Sequence, residues 1–424
     1  MRIRPIIAII FLWSNFGLLT LSAQVDTFKI VYYNLLRFPG STSNRVDSIK
    51  AIIDYLKPDI FAVEELEDIT GANLIRDNAL NQNGRSGYQY GTYYDGYDSD
   101  NLIYYKSDLL GLIKEDTIPT NGSTSFGQSR YIRHTRLFYK DPNLAQHLDT
   151  VFLDIFSMHL SASMGGVDSI ERQLQCRDLK NWMNTKTGLK YILAGGDLNL
   201  YTSNEIAYQI LLDSGNYKIK DPINRPGNWH NTFSFTDIHT QSTRRRAFNG
   251  GATGGLDDRF DFILVSDSLM NTTSRVVALP NTYKAVGNNG QLFNDSLTHP
   301  PISTAVPWSV LSAMYNNSDH LPVYMEFIIK QKVITLTDPE ANEGWRINIF
   351  PNPSDGEFRF KDLRTGSEDI LLEIWNQQGK KIESFNFPAG NSEHYLNLQH
   401  LPAGMYILRA ISGQEIHQSR WIKN

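Results

Sequence analysis

Six stretches rich in β-branched and aromatic residues each run into a charged or amide side chain. T-F-K-I-V-Y-Y-N (27–34) ends on Asn34, F-A-V-E-E-L (61–66) carries Glu64 and Glu65, and I-F-S-M-H-L-S (155–161) carries His159. G-G-D-L-N-L (195–200) holds Asp197 and Asn199, R-F-D-F-I-L-V-S (259–266) holds Asp261, and Ser318-Asp319-His320 precedes the apolar run 323–329. A carboxylate inside an apolar strand loses its hydration, so a fold that accepts this pattern has to pair these groups or lend them a cation. Further strands are expected at 102–106, 151–158 and 191–194. Helical spacing marks 41–56 through Val46, Ile49, Ile53 and Leu56, stopped by Lys57-Pro58-Asp59. Helices also fit 71–80, 167–183 and 204–212. Strands alternate with helices early and are joined by long loops later (213–258 and 281–310), which favours a layered α/β sandwich over a simple doubly wound sheet.

Chemistry narrows the reading further. Glu64 and Glu65 point to opposite faces of one strand, so at most one serves a common site directly. The two-residue period puts Asp197 and Asn199 on the same side, and a carboxylate beside an amide suits a hard cation and a phosphate. No Cys/His cluster has zinc spacing, which also favours a hard metal. Taken singly, each segment has a plainer reading. D-x-N is commonly a turn and S-D-H a loop or helix cap. Asp261 can pair with adjacent Arg259, His159 can be a core histidine, and Asn34 can close a strand. Their recurrence in order, at strand ends within one region, is what points to a site. The net charge of −5, from 40 Lys and Arg against 45 Asp and Glu, argues against a non-specific DNA coat. It leaves room for an enzyme that grips phosphates locally through a metal and a few arginines.

Across 27–329 the chain resembles the endonuclease/exonuclease/phosphatase family, which includes pancreatic-type deoxyribonucleases, abasic-site endonucleases, inositol phosphatases and neutral sphingomyelinases. Asn34 matches the family's first-strand Asn, and Glu65 in V-E-E-L matches its metal-binding Glu. H-L-S-A-S is similar to the deoxyribonuclease His segment, G-D-L-N to G-D-F-N, R-F-D-F-I-L-V to R-I-D-Y-I, and S-D-H-L-P-V to S-D-H-x-P-V. Glu64 stands in place of the usual Gln and Leu198 in place of Phe. The resemblance implies a four-layer sandwich of two mixed β-sheets flanked by helices, and in-line attack of water on phosphorus. It implies that Glu65, with Asn34 and Asp319 nearby, holds Mg²⁺ or Mn²⁺, a structural Ca²⁺ being a further option. Asp197 and Asn199 would orient or activate the water, Asp261 would orient His320, and His159 would bind a phosphate oxygen or protonate the leaving group. Asp100 would orient His159, and Arg133 would contact phosphate, a plain surface role being the alternative for each. The triplet Arg244-Arg245-Arg246 offers charge to backbone phosphates or is simply a solvated loop. An extracellular nuclease acting on DNA or RNA is the first functional expectation. A phosphodiesterase for small or lipid-linked phosphoesters, such as sphingomyelin, is the second, and an inactive surface binding protein the third.

The chain ends carry addresses. Arg2 and Arg4 precede an apolar stretch, 6–21, broken by Ser14 and Asn15, and Ser22-Ala23 then offers a cleavage point. This is expected to be a signal peptide (1–23), with a retained anchor as the alternative. No second run approaches the ~20 apolar residues that span a bilayer. Cys176, the single cysteine, is expected to be buried in a helix. The expected catalytic domain is 24–331, followed by a linker, 332–345. Residues 346–424 read as short strands and turns making a small β-sandwich. I-F-P-N-P-S-D-G-E-F (349–358), W-N-Q-Q-G-K-K-I (375–382) and L-P-A-G-M-Y-I-L-R (401–409) resemble the type A sorting domain of the type IX secretion system of Bacteroidetes. The alternative is a carbohydrate-binding or adhesive module. Signal and tail together imply export through both membranes to the cell surface or medium, with the type IX machinery as partner.

Overall fold

Alternate residues of the first strand enter different cores. Phe28, Ile30 and Tyr32 pack in one cluster, Val31, Tyr33 and Leu35 in another, all of them fully buried. A strand buried on both faces lies in a sheet covered on both sides. The computed structural model describes residues 25–40, 44–96, 100–120, 130–144, 150–213, 215–332, 347–362, 368–377, 380–390, 393–413 and 415–424. The elements in order are β1 (Val25–Phe38), α1 (Arg45–Leu56), β2 (Ile60–Leu66), α2 (Ile69–Leu74, continued by a π-helical turn, Ile75–Leu80), β3 (Tyr88–Tyr90), β4 (Asp100–Lys106), β5 (Leu110–Ile118), β6 (Ile132–Tyr139) and β7 (Phe152–His159). Then follow α3 (Gly166–Asn184), β8 (Tyr191–Asp197), α4 (Ile206–Asp213), β9 (Ile219–Lys220), β10 (Asp261–Ser266), α5 (Asp267–Met270), β11 (Val276–Ala285), α6 (Trp308–Asn317) and β12 (Val323–Lys330).

Two six-stranded mixed sheets result, ordered β11-β12-β1-β2-β4-β3 and β5-β6-β7-β8-β10-β9. Between them lies the central core, where Tyr32, Ala62 and Met325 of the first sheet meet Ile155, Leu193 and Ile263 of the second. Helices α1 and α6 cover the outer face of the first sheet through Ile49, Ile53, Leu311 and Met314. Helices α3 and α4 cover the second through Cys176, Leu179, Met183 and Leu211, packed on Phe156, Ile192 and Phe262. This is the expected four-layer sandwich. Cys176 is buried, and burial pushes its thiol pKa upward, so it is packing and not a nucleophile.

The sheets approach closely where the G-G-D motif crosses them. A side chain at Gly195 would meet the Phe262 carbonyl at 2.2 Å, and one at Gly196 (φ +116°) would meet the Met158 carbonyl at 2.2 Å and Glu64 Oε1 at 2.6 Å. Only glycine fits at either position.

Up to β12, seven elements were not foreseen: β3, β5, β6, β9, β11, α5 and α6. The charged residues of β5 and β6 hide their strand character, and tertiary pairs satisfy them. His134 lies between Asp116 (3.0 Å) and Asp154 (2.9 Å). The second half of β11 and the first residues of α6 fall in the segment expected to be a loop, 281–310. The expected signal peptide and the expected linker from 333 onward lie outside the described residues. No helix among the described residues is long and apolar enough to cross a membrane.

The C-terminal region begins with β13 (Ile347–Phe350) and continues through β14 (Glu357–Asp362), β15 (Ile370–Asn376), β16 (Lys381–Phe387), β17 (Glu393–Asn397), β18 (Gly404–Ser412) and β19 (Glu415–Lys423). Sheets β13-β14-β17 and β16-β15-β18-β19 enclose a core containing Ile349, Phe358, Leu372, Leu408 and Trp421, which is the expected small β-sandwich.

Candidate active site

Strand register assembles the site. β7 and β8 run parallel with His159 opposite Asp197, and β10 runs antiparallel to β8 with Asp261 opposite the same Asp197. Neighbouring strands are about 4.8 Å apart, so three ionisable groups stand in a row across one sheet. From the facing sheet, Asn34, where the pairing of β1 with β2 shifts register, reaches across and donates from Nδ2 to Asp197 Oδ2 (3.1 Å) and to Glu65 Oε1 (2.9 Å). The Ser318-Asp319-His320 segment is tied to the same place, because Ser318 Oγ donates to the Asn34 carbonyl (2.7 Å).

Asp197 is the hub. Its Oδ2 lies 3.5 Å from His159 Nε2 and 3.6 Å from His320 Nε2. His320 Nδ1 meets Asp261 Oδ2 at 2.8 Å, with both side chains buried. Asp261 therefore does not pair with adjacent Arg259, whose guanidinium instead grips Asp221 in a bidentate pair at 2.7 and 3.0 Å. Glu65 sits at φ +57°, a left-handed turn at the strand end, and its second oxygen accepts from the Arg37 backbone N–H (3.1 Å). Glu64 points the other way, between the sheets, and accepts from Ser157 Oγ (2.7 Å), so only Glu65 serves the pocket.

Electrostatics follow from crowding carboxylates in a buried place. Burial first, against the opposing charge of His320 and with the added repulsion of Asp261 and Glu65, brings the pKa of Asp197 up to about 7. Glu65 is raised by burial and then by Asp319. Burial works against charge on His320, but Asp261 and Asp197 outweigh it and hold the imidazole well above its ordinary value. His159 goes the other way: burial, then the charges of Arg130 and His320, keep it well below. Two histidines on one carboxylate thus have opposite protonation preferences, the separation expected of an acid/base pair.

A hard cation fits this donor set. Single ligand atoms of Glu65, His159 and Asp197 lie within 4.8 Å of one another. Asp319 lines the same pocket. Its Oδ2 accepts from the Ala252 N–H (2.6 Å), while its Oδ1 is buried with no hydrogen-bond partner. A buried carboxylate oxygen without a donor, beside raised carboxylates, is completed by positive charge.

The structure corrects several expectations. Asn34 turns its NH₂ toward Glu65 and Asp197 and its oxygen toward the Leu36 N–H (2.9 Å), so it clamps the carboxylates together and is not placed as an oxygen ligand. Asp197 and Asn199 do not share a strand face. β8 ends at Asp197, Asn199 is left-handed (φ +49°), and its N–H donates to Asp197 Oδ1 (3.1 Å), an Asx-type turn. Both still line the pocket. Asp100 does not reach His159; it accepts from Tyr93 Oη and from the Gly96 N–H (2.7 Å), and His159 Nδ1 has no hydrogen-bond partner. Arg133 is not at the pocket: it is buried and bonds Thr117, the Thr92 carbonyl and Glu115. Arg244 is also buried, with only Arg245 and Arg246 exposed.

Three pocket residues were missed. Arg130 donates to the Leu160 carbonyl (3.0 Å), and its charge reaches Glu65 and His159. Arg37 lies near the end of β1 at φ +50°. Gln241 lies against His320 Nε2 (2.6 Å) and Asp319 Oδ2 (3.4 Å). None has a sequence signal, except that Arg37 stands three residues past Asn34. The pocket itself measures about 390 Å³.

Two family profiles match the chain. Residues 31–303 match the profile of the Endonuclease/Exonuclease/phosphatase family, and residues 348–424 match the secretion system C-terminal sorting domain. No curated protein matches the chain. Among solved structures, D. rerio TDP2 complexed with single strand DNA product is 15% identical, with 71% of this chain and 98% of that chain covered and a TM-score of 0.46. An endonuclease/exonuclease/phosphatase from Bacteroides vulgatus is 15% identical (72% and 100% covered, TM-score 0.45), and the human Nocturnin catalytic domain is 14% identical (72% and 97% covered, TM-score 0.43). The sorting domain marks the chain for export by the type IX system, to the cell surface or beyond. The catalytic part belongs to the endonuclease/exonuclease/phosphatase family of metal-dependent phosphoric ester hydrolases.

Proposed function

We propose that the protein is an exported nuclease that hydrolyses phosphodiesters of DNA or RNA by in-line attack of water, with Mg²⁺ or Mn²⁺ as cofactor. We take 1–23 as a removed signal peptide, 24–331 as the catalytic unit and 346–424 as the sorting unit. The observation that carries the reading is the single Asp197 oxygen flanked by two imidazoles at 3.5 and 3.6 Å. That arrangement can take a proton from water on one side of a phosphate and return one on the other. Glu65 and Asp319 are the residues that would hold the metal; when bound, it supplies charge neutralisation at a phosphate oxygen. Asn34 keeps Glu65 and Asp197 at fixed separation despite their repulsion. Asn199, through its turn, fixes the rotamer of Asp197. Asp261 fixes the tautomer and charge of His320, while His159 and Arg130 face the phosphate. Exposed Arg245 and Arg246 belong to the loop whose Gly250–Ala252 end lines the pocket, and they suit a polyanion longer than one phosphate.

A lipid-linked phosphoester is the second reading, favoured by Met164, Val167 and Ile170. These are exposed by 62%, 67% and 56% and follow directly on the pocket residues Ala162 and Ser163. The deciding experiment incubates the purified protein with plasmid, RNA and sphingomyelin vesicles, with Mg²⁺ and with EDTA. Cleavage of nucleic acid that EDTA stops, and that Asp197→Asn and His320→Ala abolish in folded protein, is the expected result. Hydrolysis of sphingomyelin alone would replace the first reading by the second, and chelator-insensitive hydrolysis would remove the metal.

A further inference from the structure

The segment 242–255 is a closed loop. Its ends are joined by the Ser242 N–H to the Gly255 carbonyl (2.9 Å), the Gly255 N–H to the Arg244 carbonyl (3.1 Å) and Ser242 Oγ to the Ala252 carbonyl (2.8 Å). Inside it, the Arg244 guanidinium lies 3.9 Å from the ring centroid of Phe248, on the loop itself, and 3.9 Å from that of Tyr315, on α6. Arginine is rarely buried to 7% exposure without a purpose that justifies its desolvation. Here it stacks the loop onto the helix that leads into Ser318-Asp319-His320.

The far end of the loop touches the site. The Ala252 N–H donates to Asp319 Oδ2 at 2.6 Å, and a side chain on Gly251 would lie 2.9 Å from Asp319 Cγ and Oδ2. From its near end, the Thr243 N–H holds the Asp319 carbonyl (3.0 Å). One Asp319 oxygen is therefore engaged by the loop, and the other, Oδ1, is left buried without a donor.

We propose that Arg244 is a positioning residue for Asp319: stacked between Phe248 and Tyr315, it locks the 242–255 loop so that Ala252 engages one carboxylate oxygen and Asp319 offers the other to the divalent cation. Gly251 is glycine because the loop must pass against the carboxylate. The inference rests on Asp319 being a metal ligand, and it explains why the first arginine of the triplet is turned inward.

The test measures Mn²⁺ affinity directly, by electron paramagnetic resonance of free Mn²⁺ in titrations of the purified full chain. Arg244→Ala is expected to weaken binding about tenfold, ~1.4 kcal/mol, and Arg244→Lys to recover part of the loss. Gly251→Ala, which pushes on Asp319 without disturbing the stack, is expected to weaken binding similarly. Leu211→Ala, a destabilising change in the core between α4 and the second sheet, is expected to leave the affinity within twofold. Wild-type affinity in folded Arg244→Ala or in Gly251→Ala overturns the proposal, as does an equal loss in Leu211→Ala, which would reduce it to general destabilisation. A wild-type chain that binds no Mn²⁺ removes the metal reading and this inference together. Binding by the wild type with unaffected variants sinks the loop alone.

Discussion

Replacing Asp261 by Asn tests the core of the mechanism with the smallest change of shape. His320 Nδ1 lies 2.8 Å from Asp261 Oδ2, with the histidine 2% and the aspartate 0% exposed, so water cannot substitute for the lost charge. A hydrogen bond to a charged group contributes about 1.5–3 kcal/mol. At 1.36 kcal/mol per factor of ten, kcat is expected to fall about 10- to 100-fold. KM should change little, because Asp261 does not line the pocket and reaches the substrate only through His320. Asp261 Oδ1 already lacks a partner, so the new amide leaves an unsatisfied polar group there, costing about 1–3 kcal/mol. For a domain of this size that is roughly 2–12 °C in Tm. The assay is hydrolysis of bis(p-nitrophenyl) phosphate at saturating Mg²⁺, with circular dichroism and a melting curve on the same preparation. A folded variant with kcat within twofold of wild type would refute the claim that Asp261 acts through His320.

Other perturbations probe separate parts. Burial pushes the pKa of His239 down to about 4, opposed by its bond to the Trp229 carbonyl. Because the folded value lies below the unfolded one, stability is intact above pH 6.5 and falls as pH drops toward 4. The loss is about 3 kcal/mol, and His239→Gln should flatten that part of a urea-midpoint profile against pH. Arg259→Met strands the buried Asp221 and is expected to cost about 3–5 kcal/mol, whereas Arg259→Met with Asp221→Leu should recover most of it in thermal melts. Arg245→Ala and Arg246→Ala should each reduce the salt slope of nucleic-acid binding by about 0.9, read by fluorescence anisotropy between 50 and 200 mM salt. An unchanged slope would remove them from the interface.

Much of the fold and site was legible because the signals are local. A polar group at the margin of an apolar strand is costly wherever it stands, so Asn34, Glu65, His159, Asp197, Asp261 and His320 could be selected before any contact was known. They do meet in one place. Strands β5 and β6 went unforeseen because their local signal was contradicted. Lys114, Glu115 and Asp116 in β5, with Arg133, His134 and Arg136 in β6, look like surface, yet most find partners across the strands. The mistaken assignment of Arg133 has the same origin. Arg133 was favoured by position in the sequence, but β5–β6 register sets it beside Thr117 and Glu115, while Arg130, three residues earlier, enters the pocket.

Local polarity and periodicity alone therefore specify a layered α/β sandwich with reactive strand ends and a β-rich C-terminal unit, because strand burial and turn chemistry act over a few residues. Which atom faces which is decided only when the two sheets close: the Asn34 amide turned to clamp two carboxylates, one Asp197 oxygen shared by two imidazoles, Arg244 drawn inward between two rings. Those choices depend on register and packing between segments far apart in sequence, 163 residues for Asn34 and Asp197, and no single stretch of chain contains that information.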